Sequence, residues 1–178
     1  MASRAEYVPG PAYGARVEKD EERWTLVLVR ELRHPPTRVW EALTDPEHLR
    51  EWAPFDADRK LGSTGATVEL TWTGTARVTE AVVTRAEAPK VLEFGDLRWE
   101  LEPLGKGTRL TLWHAIDQRY MAWGAAGWHI SFDVLDRLLA GAPMGRIVGG
   151  EGWQRLVREY SRQFGTTTPG ESKAAQES

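Results

Sequence analysis

The chain has 178 residues, no cysteine and a net charge of −3. This length is that of one domain with a sizeable core, and a chain without cysteine has no disulfides and no thiolate chemistry. Charges of both signs are interspersed along the chain, which excludes the basic surface of a nucleic-acid-binding protein. There is no apolar run of bilayer-spanning length and no apolar signal-peptide region, so we expect a cytoplasmic protein without membrane insertion.

The two ends of the chain differ in composition from its middle. Turn-forming residues without periodicity predict a flexible N-terminus at residues 1–12, and a polar run predicts a disordered tail at residues 165–178. One domain is therefore expected at residues 13–164.

The first long strand predicted in this domain carries a charge on an apolar face. In RWTLVLVREL, alternation places Arg30 on the same face as Leu28 and Leu32. A buried guanidinium without a partner is too costly to persist. Arg30 is thus predicted either to pair with an acid or a carbonyl oxygen of another element, or to reach solvent at a local bulge.

Two short helices are predicted in HPPTRVWEALTDPEHLREW, residues 34–52. Pro35 and Pro36 end the strand, and Asp45 followed by Pro46 is a typical N-cap and first residue of a second helix. Each helix is too short to be stable alone, so the pair must pack on one end of a sheet. The residues expected to be buried there are Val39, Trp40, Leu43 and Trp52.

Strict alternation then predicts an antiparallel meander, in the segments TVELTWTGTARV, KVLEF, LRWELEP and TRLTLWHAID. Trp72, Trp99 and His114 fall on the apolar faces of three of these segments. His114 is a lone histidine among apolar neighbours. Such a histidine is more often a hydrogen-bonded core residue than a catalyst.

After the meander the period changes to 3.6 residues. AAGWHISFDVLDRLLAG predicts a helix with Trp128 and Phe132 on one apolar stripe, and EGWQRLVREYSRQFG predicts a last helix. The loop between them leaves open whether they form one broken lid or two layers. His129 and Asp133 lie four residues apart, where a hydrogen-bonded dyad is one alternative and a solvated pair on a charged helix face is the expected one.

The order of these segments resembles one family. HPPTRVWEALTDPEHLREW, RWELEPLGKGTRLTLWHAID and AAGWHISFDVLDRLLAG resemble, in this order, the proteins homologous to the activator of the ninety-kilodalton heat-shock protein's ATPase, within the START-like (SRPBCC) superfamily. The resemblance implies an α+β helix-grip fold. In this fold a curved antiparallel sheet surrounds a C-terminal helix, two short helices follow the long first strand, and an apolar cavity lies between sheet and helix.

No motif for catalysis or for a cofactor is present. The four histidines lack metal-site spacing, no nucleotide-binding loop or serine-nucleophile motif occurs, and neither catalytic residues nor a cofactor or metal is predicted. The resemblance implies binding or carrying of a small hydrophobic or aromatic molecule. Two alternatives stay open: a cyclase or hydratase-like enzyme using His114 and Arg30 in the same cavity, and a chaperone-associated module that binds protein through the outer sheet face.

The nine tryptophans fit either a wide cavity wall or a tryptophan-rich core. Small residues at the start of the long helix favour the cavity, because they would leave room beside the sheet. The residues predicted to line it are Trp52, Trp72, Trp99, His114, Trp128 and Phe132.

Overall fold

A computed structural model describes residues 6–165. Eight antiparallel strands form one curved sheet in the order β1-β2-β8-β7-β6-β5-β4-β3. The strands are β1 (Ala15–Asp20), β2 (Arg23–Leu32), β3 (Phe55–Ala57), β4 (Thr67–Trp72), β5 (Arg77–Glu87), β6 (Val91–Phe94), β7 (Leu97–Leu104) and β8 (Gly107–Ala115). The predictions for residues 1–5 and 166–178 lie outside the described residues.

The segment TVELTWTGTARV does not continue as one strand. The chain turns after Trp72, where Gly74 (φ 84°) and Ala76 (φ 52°) adopt positive φ, and β5 runs back antiparallel to β4. A glycine at such a position relieves the steric cost that other residues carry. The short β3 strand was also not predicted, since three residues are too few to show a period.

The two short helices are present as α1 (Pro36–Thr44) and α2 (Pro46–Trp52). The Asp45 carboxylate caps α2 by accepting a hydrogen bond from the backbone N–H of Glu47 at 2.9 Å. The indole N–H of Trp52 donates to the carbonyl oxygen of Ala42 at 2.9 Å, which joins α2 to α1. The predicted burial of this pair is confirmed for Val39, Trp40, Leu43 and Trp52.

Two longer helices complete the domain, α3 (Met121–Leu139), which follows a short 3-10 turn, and α4 (Glu151–Phe164). Helix α3 packs on β2 and on both short helices, and α4 packs on α3. They are separate helices with their own packing faces, and that of α4 includes the buried Leu156, Val157 and Tyr160. The α+β helix-grip architecture predicted from the sequence is confirmed.

No helix within residues 6–165 has the length and apolarity needed to cross a membrane. The same part of the chain contains no group of three or more histidine, aspartate or glutamate side chains that could hold a metal ion.

Candidate functional site

The six residues predicted to line a cavity lie together between the sheet and α3. We call them the aromatic cluster. Helix α2, strands β4, β7 and β8 and helix α3 contribute them: Trp52, Trp72, Trp99, His114, Trp128 and Phe132. Each ring contacts at least one other ring of the cluster, so that the six form one continuous aromatic surface.

Trp99 lies at the centre of the inner part of the cluster. Its ring centroid is 5.4 Å from that of Trp128, 6.1 Å from that of Trp52 and 6.2 Å from that of Phe132. All three contacts are edge-to-face, an arrangement favoured by the quadrupoles of aromatic rings. These four side chains are at most 3% exposed, so the inner part is shielded from solvent.

The outer part of the cluster reaches the surface. Trp72 and His114 are only partly buried, and their rings stack with centroids 6.2 Å apart and planes 11° from parallel. The Trp72 indole N–H donates to Oγ1 of Thr79 at 3.2 Å, and its ring also contacts Phe55. His114 in turn contacts Trp128, so the stacked pair connects solvent to the buried rings.

The rings fill the space in which a cavity was expected. Trp99 and Trp128 pack directly against each other. Gly124, at the start of α3, leaves no room beside the sheet, because a Cβ there would lie 3.2 Å from Ile116 Cδ1 and from Leu26 Cδ2. Glycine there lets the helix approach the sheet, and the cluster is closed by ring packing in this structure.

The polar atoms of the cluster differ in how they are satisfied. The Trp128 indole N–H donates to Nδ1 of His114 at 3.0 Å. Burial lowers the pKa of His114 to about 4, so the imidazole is neutral and carries its proton on Nε2. By contrast, Nε1 of Trp99 is buried and has no hydrogen-bond acceptor in the described part of the chain.

Arg30 lies beside the cluster, buried, and both terminal nitrogens of its guanidinium donate hydrogen bonds. It donates to Oδ1 of Asp133 on α3 at 2.6 Å and to the carbonyl oxygen of His129 at 3.4 Å. The guanidinium also lies over the rings of Tyr13, at 4.9 Å, and Phe132, at 5.8 Å. Arg30 is thus compensated by an acid and a carbonyl oxygen of a neighbouring element.

Asp133 and His129 connect Arg30 to the N-terminal segment and to α4. The Tyr7 hydroxyl donates to Asp133, and the Tyr160 hydroxyl shares a hydrogen bond of 2.7 Å with Nδ1 of His129. The Tyr160 hydroxyl also donates to the carbonyl oxygen of Tyr13 at 3.0 Å. We call this set, with Arg30, the Arg30 network. Burial raises the pKa of Tyr7 and of Tyr160, the latter to about 12, and lowers the pKa of His129.

The expectation of a solvated His129 was wrong. His129 is 1% exposed, because the rings of Tyr13 and Tyr160 pack edge-on against it. Apart from a partner for Arg30, this network was not predicted from the sequence, although Tyr160 lies on the same buried face of α4 as Leu156 and Val157. Tyr7 lies in the segment of residues 1–12 that was expected to be flexible, and Tyr13 follows it directly in a stretch without periodicity, so no pattern indicated these contacts.

The two polar groups of the enzyme alternative do not lie together. His114 pairs with Leu26 across the β2–β8 ladder, whereas Arg30 pairs with Leu110. The two positions are thus four residues apart along the sheet, a separation of about 13 Å, so Arg30 and His114 lie beside different parts of the cluster.

Comparison with known proteins agrees with this architecture. The model of the family described as Activator of Hsp90 ATPase homolog 1-like protein matches residues 33–140. A comparison with curated proteins found no match.

Solved structures show the same fold at low identity. CalU16 from Micromonospora echinospora is 21% identical, with 88% of this chain and 96% of that chain covered and a TM-score of 0.62. EF2215 from Enterococcus faecalis, a conserved protein of unknown function, is 16% identical, with 84% and 89% covered and a TM-score of 0.63. MLL2253 from Mesorhizobium loti is 24% identical, with 66% and 97% covered and a TM-score of 0.58.

The family match covers more than half of the chain, and it spans both short helices, strands β3 to β8 and the whole of α3. These elements contribute all six residues of the aromatic cluster. The chain belongs to the Activator of Hsp90 ATPase homolog 1-like protein family.

Proposed function

We propose that this protein binds or carries a small, flat hydrophobic or aromatic molecule in the aromatic cluster between the sheet and α3. The observation that carries the proposal is the continuity of the cluster. Aromatic rings run without interruption from the partly exposed Trp72–His114 pair to the buried Trp99 and Trp128. A molecule that enters at the stacked pair would meet apolar or aromatic surface along its whole path.

The cluster is closed in the structure, so binding requires the rings to separate. Trp72 is the side chain whose displacement costs least, because it is partly exposed and lies next to the turn at residues 73–76. The hydrogen bond that holds its indole in place, to Oγ1 of Thr79, is 3.2 Å long. A ligand ring replacing Trp72 against His114 would restore the stacking contact that the indole gives up.

The chemistry of the cluster supports binding rather than catalysis as its first use. His114 accepts a hydrogen bond from Trp128, and burial lowers its pKa to about 4, so it is a poor proton acceptor at neutral pH. Arg30 is committed to Asp133. Apolar pockets with few convergent polar groups are typical of small-molecule sites.

The test is equilibrium dialysis of the purified chain with 2-isopropenylnaphthalene, together with native mass spectrometry of freshly purified protein. We expect saturable binding by the wild type, and an affinity about three- to tenfold higher in Trp72→Ala, because the ligand ring can then stack on His114 without displacing the indole. Trp123→Ala is the matched control, since Trp123 is an exposed indole on α3 outside the cluster. Absence of saturable binding, or an affinity that is not higher in Trp72→Ala than in Trp123→Ala, contradicts the proposal.

A further inference from the structure

The indole nitrogen of Trp99 is a buried hydrogen-bond donor that has no acceptor among residues 6–165. Trp99 is 1% exposed, and no described group accepts from its Nε1. Buried polar groups are nearly always hydrogen-bonded, because leaving one unpaired costs about 1–3 kcal/mol. The free donor lies in the middle of the site proposed to take a ligand.

The other two indoles of the inner cluster, unlike that of Trp99, each donate a hydrogen bond within the protein. Trp52 donates to the carbonyl oxygen of Ala42 at 2.9 Å, and Trp128 donates to His114 at 3.0 Å. Three tryptophans of the inner cluster therefore have the same donor group, and of these only Trp99 lacks an acceptor in the part of the chain that the structure describes. A phenylalanine would fill most of this volume without the unpaired donor.

We infer that the ligand carries a neutral oxygen acceptor, such as the carbonyl oxygen of an aromatic ketone, which receives the hydrogen bond from Nε1 of Trp99. This inference rests on the proposed ligand-binding function and adds to it the chemical class of the ligand. The acceptor would lie among Trp52, Trp128 and Phe132, whose rings contact Trp99, and the apolar part of the ligand would face them.

The charges around the cluster indicate a neutral acceptor rather than a carboxylate. The guanidinium of Arg30 is paired with Asp133 at 2.6 Å. Burial keeps His114 neutral, and the negative charge of Asp96 acts on it from nearby. A carboxylate in the cluster would lose its hydration without meeting a free cation among these groups, which is strongly unfavourable.

The experiment uses a matched pair of probes that differ in one group. 2-Acetylnaphthalene has a carbonyl oxygen where 2-isopropenylnaphthalene has a methylene, and the two have nearly the same shape. The ratio of their dissociation constants is measured by equilibrium dialysis for wild type, Trp99→Phe and Trp52→Phe. We expect the preference for the ketone to fall about tenfold in Trp99→Phe, the value of one hydrogen bond in a buried site.

Trp52→Phe is the control, because it removes an indole N–H that already has a protein acceptor. It should leave the ratio of the two dissociation constants unchanged. A ratio unchanged in Trp99→Phe would mean that a neighbouring ring face satisfies the N–H, and it would overturn the inference while the binding function stands. Failure of both probes to bind the wild type overturns the binding function, and the inference with it.

Two further measurements use the wild-type chain and do not depend on the folding of a variant. In 15N-labelled protein, 2-acetylnaphthalene should move the Trp99 indole N–H resonance downfield, and 2-isopropenylnaphthalene should not. 2-Naphthoate should bind at least about tenfold more weakly than the ketone, owing to its uncompensated charge. Equal shifts with the first two probes contradict the hydrogen bond, and tight binding of naphthoate contradicts the neutral acceptor.

Discussion

Trp128 on α3 donates a hydrogen bond from its indole nitrogen to Nδ1 of His114 on β8, at 3.0 Å. This bond requires an unprotonated Nδ1, so protonation of His114 would break it and place a charge against the ring of Trp72. The contact between the closing helix and the sheet therefore depends on a neutral histidine.

A pH dependence of stability follows. Burial lowers the pKa of His114 from 6.5 to about 4 in the folded chain. Between these values the unfolded chain binds the proton and the folded chain does not. The contribution of His114 to stability is thus fully present above pH 6.5 and is lost as the pH falls towards 4.

Urea unfolding at pH 7.5 and pH 5.0 checks this dependence, with His114→Gln as the non-titrating variant. The wild type should lose about 2 kcal/mol more than the variant between these pH values. Burial also lowers the pKa of His129, which acts in the same direction but is present in both proteins. Identical pH dependences in the two proteins would contradict the assigned role of His114.

Trp40 anchors the two short helices to the end of the sheet. It lies on the buried face of α1, 9% exposed. Trp40→Ala should lower the free energy of unfolding by about 3–5 kcal/mol, as for other buried aromatic side chains. Trp123→Ala, at an indole that is 37% exposed, should cost less than about 1 kcal/mol. An unchanged melting temperature of Trp40→Ala would rule out this anchoring role.

Much of the candidate site followed from periodicity together with the fold that the family resemblance implied. Alternation by two placed Trp72, Trp99 and His114 on the inner face of the sheet, and a period of 3.6 placed Trp128 and Phe132 on the facing stripe of α3. Periodicity gives the face of an element and not the distance between elements. Whether the rings stand apart or touch depends on sheet curvature and on how closely Gly124 lets the helix approach, and neither leaves a local signal in the sequence.

The Arg30 network could not be predicted from the sequence for a similar reason. The sequence indicated that a buried Arg30 needs a partner. It did not indicate Asp133, because the burial of that part of α3 depends on α4 and on the N-terminal segment. Tyr7 and Tyr13 lie in a stretch rich in turn formers, where no period predicts which side chains face the domain.

Removing one partner of the Arg30–Asp133 pair should be far more costly than removing both. Asp133→Ala leaves a buried guanidinium uncompensated and should lower the free energy of unfolding by about 3 kcal/mol. The double variant Arg30→Met/Asp133→Leu replaces the pair with apolar side chains and should recover most of that loss. Urea unfolding of both proteins gives the two values. A double variant that is less stable than Asp133→Ala would show that the charges themselves, rather than their compensation, stabilise the domain.

Tyr160 is one of the groups that hold the N-terminal segment against α3 and α4, together with Asp133, Arg155 and Glu159. Its hydroxyl accepts from the backbone N–H of Tyr13 at 3.3 Å, donates to the Tyr13 carbonyl oxygen at 3.0 Å and contacts His129 at 2.7 Å. Tyr160→Phe removes these hydrogen bonds while keeping the buried ring. The free energy of unfolding should fall by about 1–3 kcal/mol, since buried polar groups lose their partner.

Hydrogen exchange distinguishes a local effect from this global one. In Tyr160→Phe the backbone N–H of Tyr13 should exchange faster than the loss of global stability accounts for, because its acceptor is gone. The N–H of Ala12 serves as an internal reference, since it donates to Glu159 at 3.1 Å and keeps that acceptor. Tyr120→Phe is the matched variant, at a hydroxyl on an exposed ring. If Tyr13 exchanges at the wild-type rate in Tyr160→Phe, the segment is held by its other contacts, and the hydroxyl serves only the burial of His129.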